Sequence, residues 1–308
     1  MKNKILLLHT FLYVTSLTFS IDNIEQPLKQ NDTSVYITEN KQVIFKEISV
    51  GQNIEIDNTA GGKNIGEEVI FLNEVILKTE NWKYSLIGGV VFSSDTDDLF
   101  EDSHARMQIE AIRNFKYGFS GVRWRAQNDY NKYYFRTGYD YNIFSGWADL
   151  QYIAFNSNNP EQDCYELEIM PANIALGPVT VGYYLDYIKY TGRGTKEDSG
   201  LLQESFSHQL RTYFPIYSNN KLELNMEYRL GLHDTENYSE TTNTGFRISK
   251  NFGYHSFILN ADYSFTESVD LSAYYKYDIS DFEDRGNPAT PESGKYYGEF
   301  YLGWTYTF

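Results

Sequence analysis

Leu222, Glu223, Leu224, Asn225, Met226, Glu227, Tyr228, Arg229, Leu230, Gly231 and Leu232 alternate without a break: even positions are apolar or aromatic, odd positions polar or glycine. Successive side chains of a strand point to opposite faces, so this run predicts a strand with one face in an apolar medium and the other in water. Moving outward, the pattern recurs in both directions. Toward the C-terminus, Phe257, Leu259, Ala261, Tyr263 and Phe265 alternate with Asn260, Asp262 and Ser264, then Val269, Leu271, Ala273, Tyr275 and Tyr277 with Asp270, Ser272, Lys276 and Asp278. Toward the N-terminus it runs back through Val179 to Tyr187, Tyr165 to Ile169, Ala148 to Ala154, Tyr133 to Tyr139, Val122 to Ala126, Ala105 to Ala111 and Trp82 to Phe92. One break appears on an apolar face, at His208 between Phe206 and Leu210.

These segments run to about 9 to 13 residues, longer than the usual strand of a globular sheet and long enough to cross a bilayer at a tilt. Tight turns alternate with longer polar connections at 94–103, 157–162, 191–200, 233–242 and 280–294. Short turns on one side and long loops on the other predict an all-β, antiparallel transmembrane barrel.

Composition agrees. The 308 residues include 28 Tyr, 20 Phe and 4 Trp with a single Cys, and the formal charge is −16. So many rings exclude a disordered chain, one Cys excludes a disulfide scaffold and a thiolate metal cluster, and the acidic balance excludes a nucleic-acid partner. Mean hydropathy of −0.50 suits a chain in which only every second strand residue faces lipid.

Residues 1–20 carry a basic tip at Lys2 and Lys4 and an apolar stretch from Ile5 to about Leu17, then Ser20: a secretory signal peptide, too short and interrupted for a membrane anchor. Residues 21–67 are polar, with Gly61 and Gly62, and read equally as a periplasmic lead-in, a plug or extra strands. The barrel is expected over 68–308. With both barrel termini on the short-turn side the strand number is even. Taking 69–78 as a lead-in and 244–249 as part of an external loop leaves twelve strands with every long loop on one side; fourteen is the alternative.

The last residues, Tyr301, Leu302, Gly303, Trp304, Thr305, Tyr306, Thr307 and Phe308, resemble the C-terminal signature of bacterial outer-membrane barrels: a glycine two places after Tyr301, then aromatics at Tyr306 and Phe308. The resemblance implies an outer-membrane location and reading of this strand by the barrel-assembly machinery. In size and parity the chain also resembles the small twelve-stranded porins for oligogalacturonates and other acidic sugars, in architecture alone.

The polar faces place nine bases in the lumen, Lys83, Arg106, Arg123, Arg125, Lys132, Arg136, Arg211, Arg229 and Lys276. Twelve acids accompany them: Glu110, Asp140, Asp149, Glu166, Glu168, Asp186, Glu223, Glu227, Asp262, Asp270, Asp278 and Glu299. Charges at this density require water or partners. Arg123, Arg125 and Arg136 precede Asp149, Glu166, Glu168 and Asp186 along the strand order, which suggests a basic arc and an acidic arc with a field between them; direct cross-strand pairing is the other reading.

The function these readings favour is a water-filled, weakly cation-preferring diffusion channel for small hydrophilic solutes, sugars among them. The alternative is a structural or adhesive barrel that presents loops, although no loop is long enough for a folded adhesive domain. Catalysis is not expected: Ser207 and His208 point to opposite faces, as do His255 and Ser256, and the His-x-Ser-Asn-Gly stretch of the outer-membrane phospholipase is lacking. His104 and His233 read as strand-end residues and Cys164 as a bystander thiol. Asp95, Asp97, Asp98, Glu101 and Asp102 read as a solvated loop rather than a calcium site. No cofactor or metal is expected. The expected partners are outer-membrane lipid, the assembly machinery and small solutes, with a monomer preferred.

Overall fold

A computed structural model describes residues 45–60, 68–93, 102–156, 163–191, 202–238, 246–285 and 296–308. Fourteen antiparallel strands form a closed barrel: β1 (Glu47–Ile56), β2 (Glu68–Lys78), β3 (Trp82–Ser93), β4 (Asp102–Phe115), β5 (Gly118–Ala126), β6 (Tyr130–Tyr141), β7 (Phe144–Phe155), β8 (Cys164–Leu176), β9 (Val179–Tyr190), β10 (Leu202–Ser218), β11 (Leu222–Tyr238), β12 (Phe246–Ser264), β13 (Val269–Arg285) and β14 (Tyr296–Thr307). Each strand pairs with its sequence neighbours, and β1 closes the ring on β14 from Ser49 opposite Thr307 to Ile56 opposite Phe300. Closure leaves no unpaired edge, so every stave is hydrogen-bonded on both sides.

The expectation of twelve strands is corrected to fourteen. Residues 69–78 are not a lead-in but lie in β2, paired with β1 and β3. Within the 21–67 segment, Glu47–Ile56 forms β1, so the barrel begins at Glu47 rather than at residue 68. Residues 246–249, assigned above to an external loop, are the outer end of β12, joined to the rest of the strand across an irregularity at Phe252, where φ is 58°. The likeness to twelve-stranded porins falls with the count. The alternation of loop lengths survives it with one exception: the turns at 79–81, 116–117, 142–143, 177–178, 219–221 and 265–268 share one side with the two ends of the barrel, and the connections on the other side are longer apart from the three-residue turn at 127–129. The signal-peptide reading of 1–20 and the acidic stretch 95–101 lie outside the described residues.

The outward face is apolar and exposed, as the alternation predicts: Leu86, Ile109, Val122, Phe135, Leu150, Leu259 and Leu302 are all exposed. Aromatic side chains gather toward the short-turn side at Trp82, Phe115, Tyr117, Tyr141, Phe265, Tyr306 and Phe308. There the Arg113 guanidinium lies over the rings of Trp82 and Phe115 at 5.9 and 5.3 Å, a cation that shares its charge with ring faces. Two amides interrupt the apolar face in the middle of β1 and β2, Gln52 and Asn73, and they answer one another through a 2.6 Å hydrogen bond. The inward face is mostly polar. An apolar patch lies on β2 and β3, where Ile70, Leu72 and Val91 are buried and Ile87 packs against them, and Ile153, Cys164, Met170 and Ile258 are further buried apolar residues of that face.

The outer rim is not level. Pairing of β11 with β12 stops at Leu230 opposite His255, whereas β10 with β11 continues to Leu202 opposite Tyr238 and β12 with β13 to Phe246 opposite Arg285. Above that point β12 and β13 continue as a double-stranded ribbon, while β10 and β11 stay joined to β9 as far as Glu204 opposite Lys189.

Candidate functional site

The inner wall is the candidate site, and strand register sets which of its charges meet. On β4 and β5 Glu110 stands opposite Arg123, whose Nη2 lies 2.5 Å from the carboxylate. Gly121 stands opposite Arg136 on β6 and carries no side chain, so the Arg136 guanidinium reaches over β5 to Glu110 at 2.7 Å. The same guanidinium donates from Nε to both oxygens of Asp149 on β7, at 3.0 and 2.9 Å. Glu110 and Asp149 are almost fully buried at 5% and 6% exposure. Two acids and two guanidiniums therefore form one continuous ladder across four strands, the condition under which buried charges are tolerated.

The ladder crosses the boundary proposed between a basic and an acidic arc: Arg136 is bonded to Asp149, and Lys132 approaches Glu166 at 3.4 Å. The arcs are bridged where they meet, and cross-strand pairing accounts for this part of the wall. Arg125 is held differently. Its Nε donates to Gln108 at 3.0 Å and its guanidinium stands 5.8 Å over the Tyr134 ring, with no carboxylate among the described residues. Arg106 is a diagonal neighbour of Arg125 in the β4–β5 register.

Around the ring, Glu168 accepts from Gln151 at 3.0 Å, while one oxygen of Asp186 is buried without a hydrogen-bond partner among the described residues. Arg211 lies 3.5 Å over the face of Tyr184, and Arg229 pairs with Glu227 on its own strand at 2.6 Å. Glu223 sits near the short-turn end of β11 and accepts from Asn225 at 2.9 Å. Ser207 and His208 face opposite ways, and the His208 ring meets Tyr183 on the outer face.

The sector from β12 to β1 has another character. Lys276 lies 3.4 Å from both Asp278 and Glu299, and Tyr254 donates to Asp278 at 3.1 Å. The Tyr274 hydroxyl donates to Glu299, and the Tyr274 ring stacks on Tyr301 with centroids 5.0 Å apart. Beyond them Glu55 and Asp57 join Glu299, carboxylate oxygens of all three lying within 4.8 Å of one another. Such a group of hard oxygens is of the type that attracts cations. Burial, reinforced by Glu55, Glu299 and Glu68, pushes Asp57, just beyond the outer end of β1, up to about 7.

Glu55 and Asp57 were missed by sequence reasoning because β1 was left unassigned, although Ile54 and Ile56 alternate with them and carry the signal. Of the terminal signature, Tyr306 and Phe308 are exposed on the outer side of β14, whereas Tyr301 and Gly303 lie on its inward side. The Phe308 amide is tied to the Ile48 carbonyl of β1 at 2.9 Å.

No protein-family model and no curated protein matches the chain. Solved structures similar to it include an outer membrane channel from Pseudomonas putida F1, with a TM-score of 0.44, 12% identity and coverage of 86% of this chain and 96% of the other. An anion-selective porin from Comamonas acidovorans aligns with a TM-score of 0.43 and 10% identity over 86% and 99% of the two chains. The translocator domain of the autotransporter NalP from Neisseria meningitidis aligns with a TM-score of 0.38 and 13% identity over 87% and 90%. The barrel of this chain is defined by its own strand pairing.

Proposed function

We propose that the chain is an outer-membrane porin, a monomeric diffusion channel for small hydrophilic solutes, sugars among them, with a weak preference for cations. The observation that carries this reading is a closed fourteen-stranded ring with an apolar outer face and a charged inner one. Eight strands enclose a space that side chains just fill, and sixteen to eighteen leave an aqueous channel, so fourteen stand near the open end of that range. The sign follows from the pairing. Among the described residues the bases Lys83, Arg106, Arg125 and Arg211 make no ion pair, against the larger set of acids Glu55, Asp57, Asp140, Glu168, Asp186, Glu223, Asp262 and Asp270. Unmatched charges dominate the field along a watered bore.

Export through a signal peptide at 1–20, and recognition of Tyr301, Gly303, Tyr306 and Phe308 by the assembly machinery, belong to the same reading. The full mature chain in planar bilayers should give discrete conductance steps, with a reversal potential in asymmetric KCl displaced toward the potassium potential. A folded barrel that inserts without conductance supports the alternative of an anchor for surface loops and refutes the channel.

A further inference from the structure

We propose that His208 and His233 form an outward-facing site for a divalent transition-metal ion such as Zn²⁺. The two residues stand directly opposite one another on β10 and β11. The register slips immediately afterwards, Gln209 pairing with Gly231, so Leu232 is the extra residue of a bulge. A bulge re-aims the side chains that follow it, and this one brings His233 onto the outer face beside His208, where strict alternation would have turned it into the lumen.

The ring centroids are 6.2 Å apart and the rings nearly perpendicular at 83°. At metal–nitrogen distances of about 2.0–2.1 Å, two imidazoles sharing one ion have centroids roughly 5–6 Å apart, so a small χ adjustment suffices. Each ring is oriented by a bond through Nδ1, His208 with the Tyr183 hydroxyl at 2.9 Å and His233 with Asn251 Oδ1 at 2.5 Å. An amide oxygen only accepts, so the proton of His233 sits on Nδ1 and Nε2 keeps its lone pair; Tyr183 can hold His208 in the same tautomer. Fixing the distal nitrogen in this way is how proteins prepare metal-binding histidines. Neither Nε2 has a hydrogen-bond partner among the described residues.

Depth makes the pair accessible. His208 is the eleventh residue of β10 counted from Ser218 and His233 the twelfth of β11 counted from Leu222. A tilted strand crosses the hydrocarbon in about 9–11 residues, which places both rings at its outer boundary, within reach of aqueous ions. Imidazole nitrogen suits zinc, copper and nickel, and water completes the coordination.

Calorimetric titration of the full chain in detergent with ZnCl₂ is expected to register binding of a single ion. His208→Gln and His233→Gln should each weaken it by roughly tenfold or more, and His255→Gln, whose ring is bonded to Tyr228 instead, should leave it unchanged. No binding, unchanged affinity in either of the first two variants, or an equal loss in the third would overturn the site. The unmodified protein supplies a second measurement should a variant fail to close. Zn²⁺ should slow the reaction of diethyl pyrocarbonate with His208 and His233, mapped by peptide mass, and not with His255; equal rates with and without the ion also overturn it.

Discussion

Two sectors of one inner wall solve the same problem in opposite ways. From β4 to β7, Glu110, Arg123, Arg136 and Asp149 neutralise one another in a continuous set of short contacts. From β13 to β1, Glu299, Glu55 and Asp57 crowd together, with Lys276 and the Tyr274 hydroxyl answering Glu299. The alternation of residues is the same in both, and each strand puts polar groups inward. What differs is whether register brings opposite signs face to face. The first sector is built for rigidity, because removing one member strands the others; the second keeps charge available to the bore.

The sharpest way to break this contrast is Glu110→Ala. It leaves two guanidiniums without their shared acceptor and should cost about 2–4 kcal/mol, at the lower side of values for buried pairs because the wall faces water. Glu55→Gln, by contrast, should cost nothing measurable. Urea midpoints in detergent micelles, followed by tryptophan fluorescence, would decide, and equal midpoints for the two variants would abolish the distinction. Tyr274→Phe comes next, removing one hydroxyl from Glu299 for about 1 kcal/mol in the same assay, since Lys276 still faces that carboxylate.

Selectivity tests the acidic sector itself. Glu55→Gln with Asp57→Asn should lower the cation-to-anion permeability ratio by about twofold with little effect on stability; an unchanged reversal potential would show that these acids do not reach the current. The smallest effect is that of pH. With its pKa raised to about 7, Asp57 is neutral below that pH and charged above it. Cation preference of the unmodified channel should therefore decline as pH falls through about 7, and Asp57→Asn should flatten that step.

Much of this molecule is visible in its alternation. From β3 onward the outward residues read from sequence are those that lie exposed on the surface, Leu86, Ile109, Phe135 and Leu259 among them. Alternation failed where a face was mixed. β2 places Ile70 and Leu72 inward against Val91, so both its faces read as apolar, and loop parity alone set it aside as a lead-in. In β1, Gln52 interrupts the outward row, and its answer, Asn73, lies on the next strand, beyond the reach of any local pattern. The bulge at Leu232 had the same effect on His233. Face could be read from period two, but partnership could not: nothing near Arg136 in the chain indicates that it bonds Glu110 across an intervening strand, a contact that Gly121 makes room for.

The uneven rim has a consequence for time as well as for shape. Below Leu230 and His255 every strand is held on both sides, and a closed ring offers no end from which to unzip. Above that level β10 and β11 remain joined to β9 as far as Glu204 opposite Lys189, whereas β12 with β13 stands as a separate pair, and a two-stranded ribbon is marginal on its own. Amide hydrogens in 246–249 and 281–285 should exchange with deuterium orders of magnitude sooner than those of the ring beneath. The molecule is thus a slow cylinder that carries one fast flap.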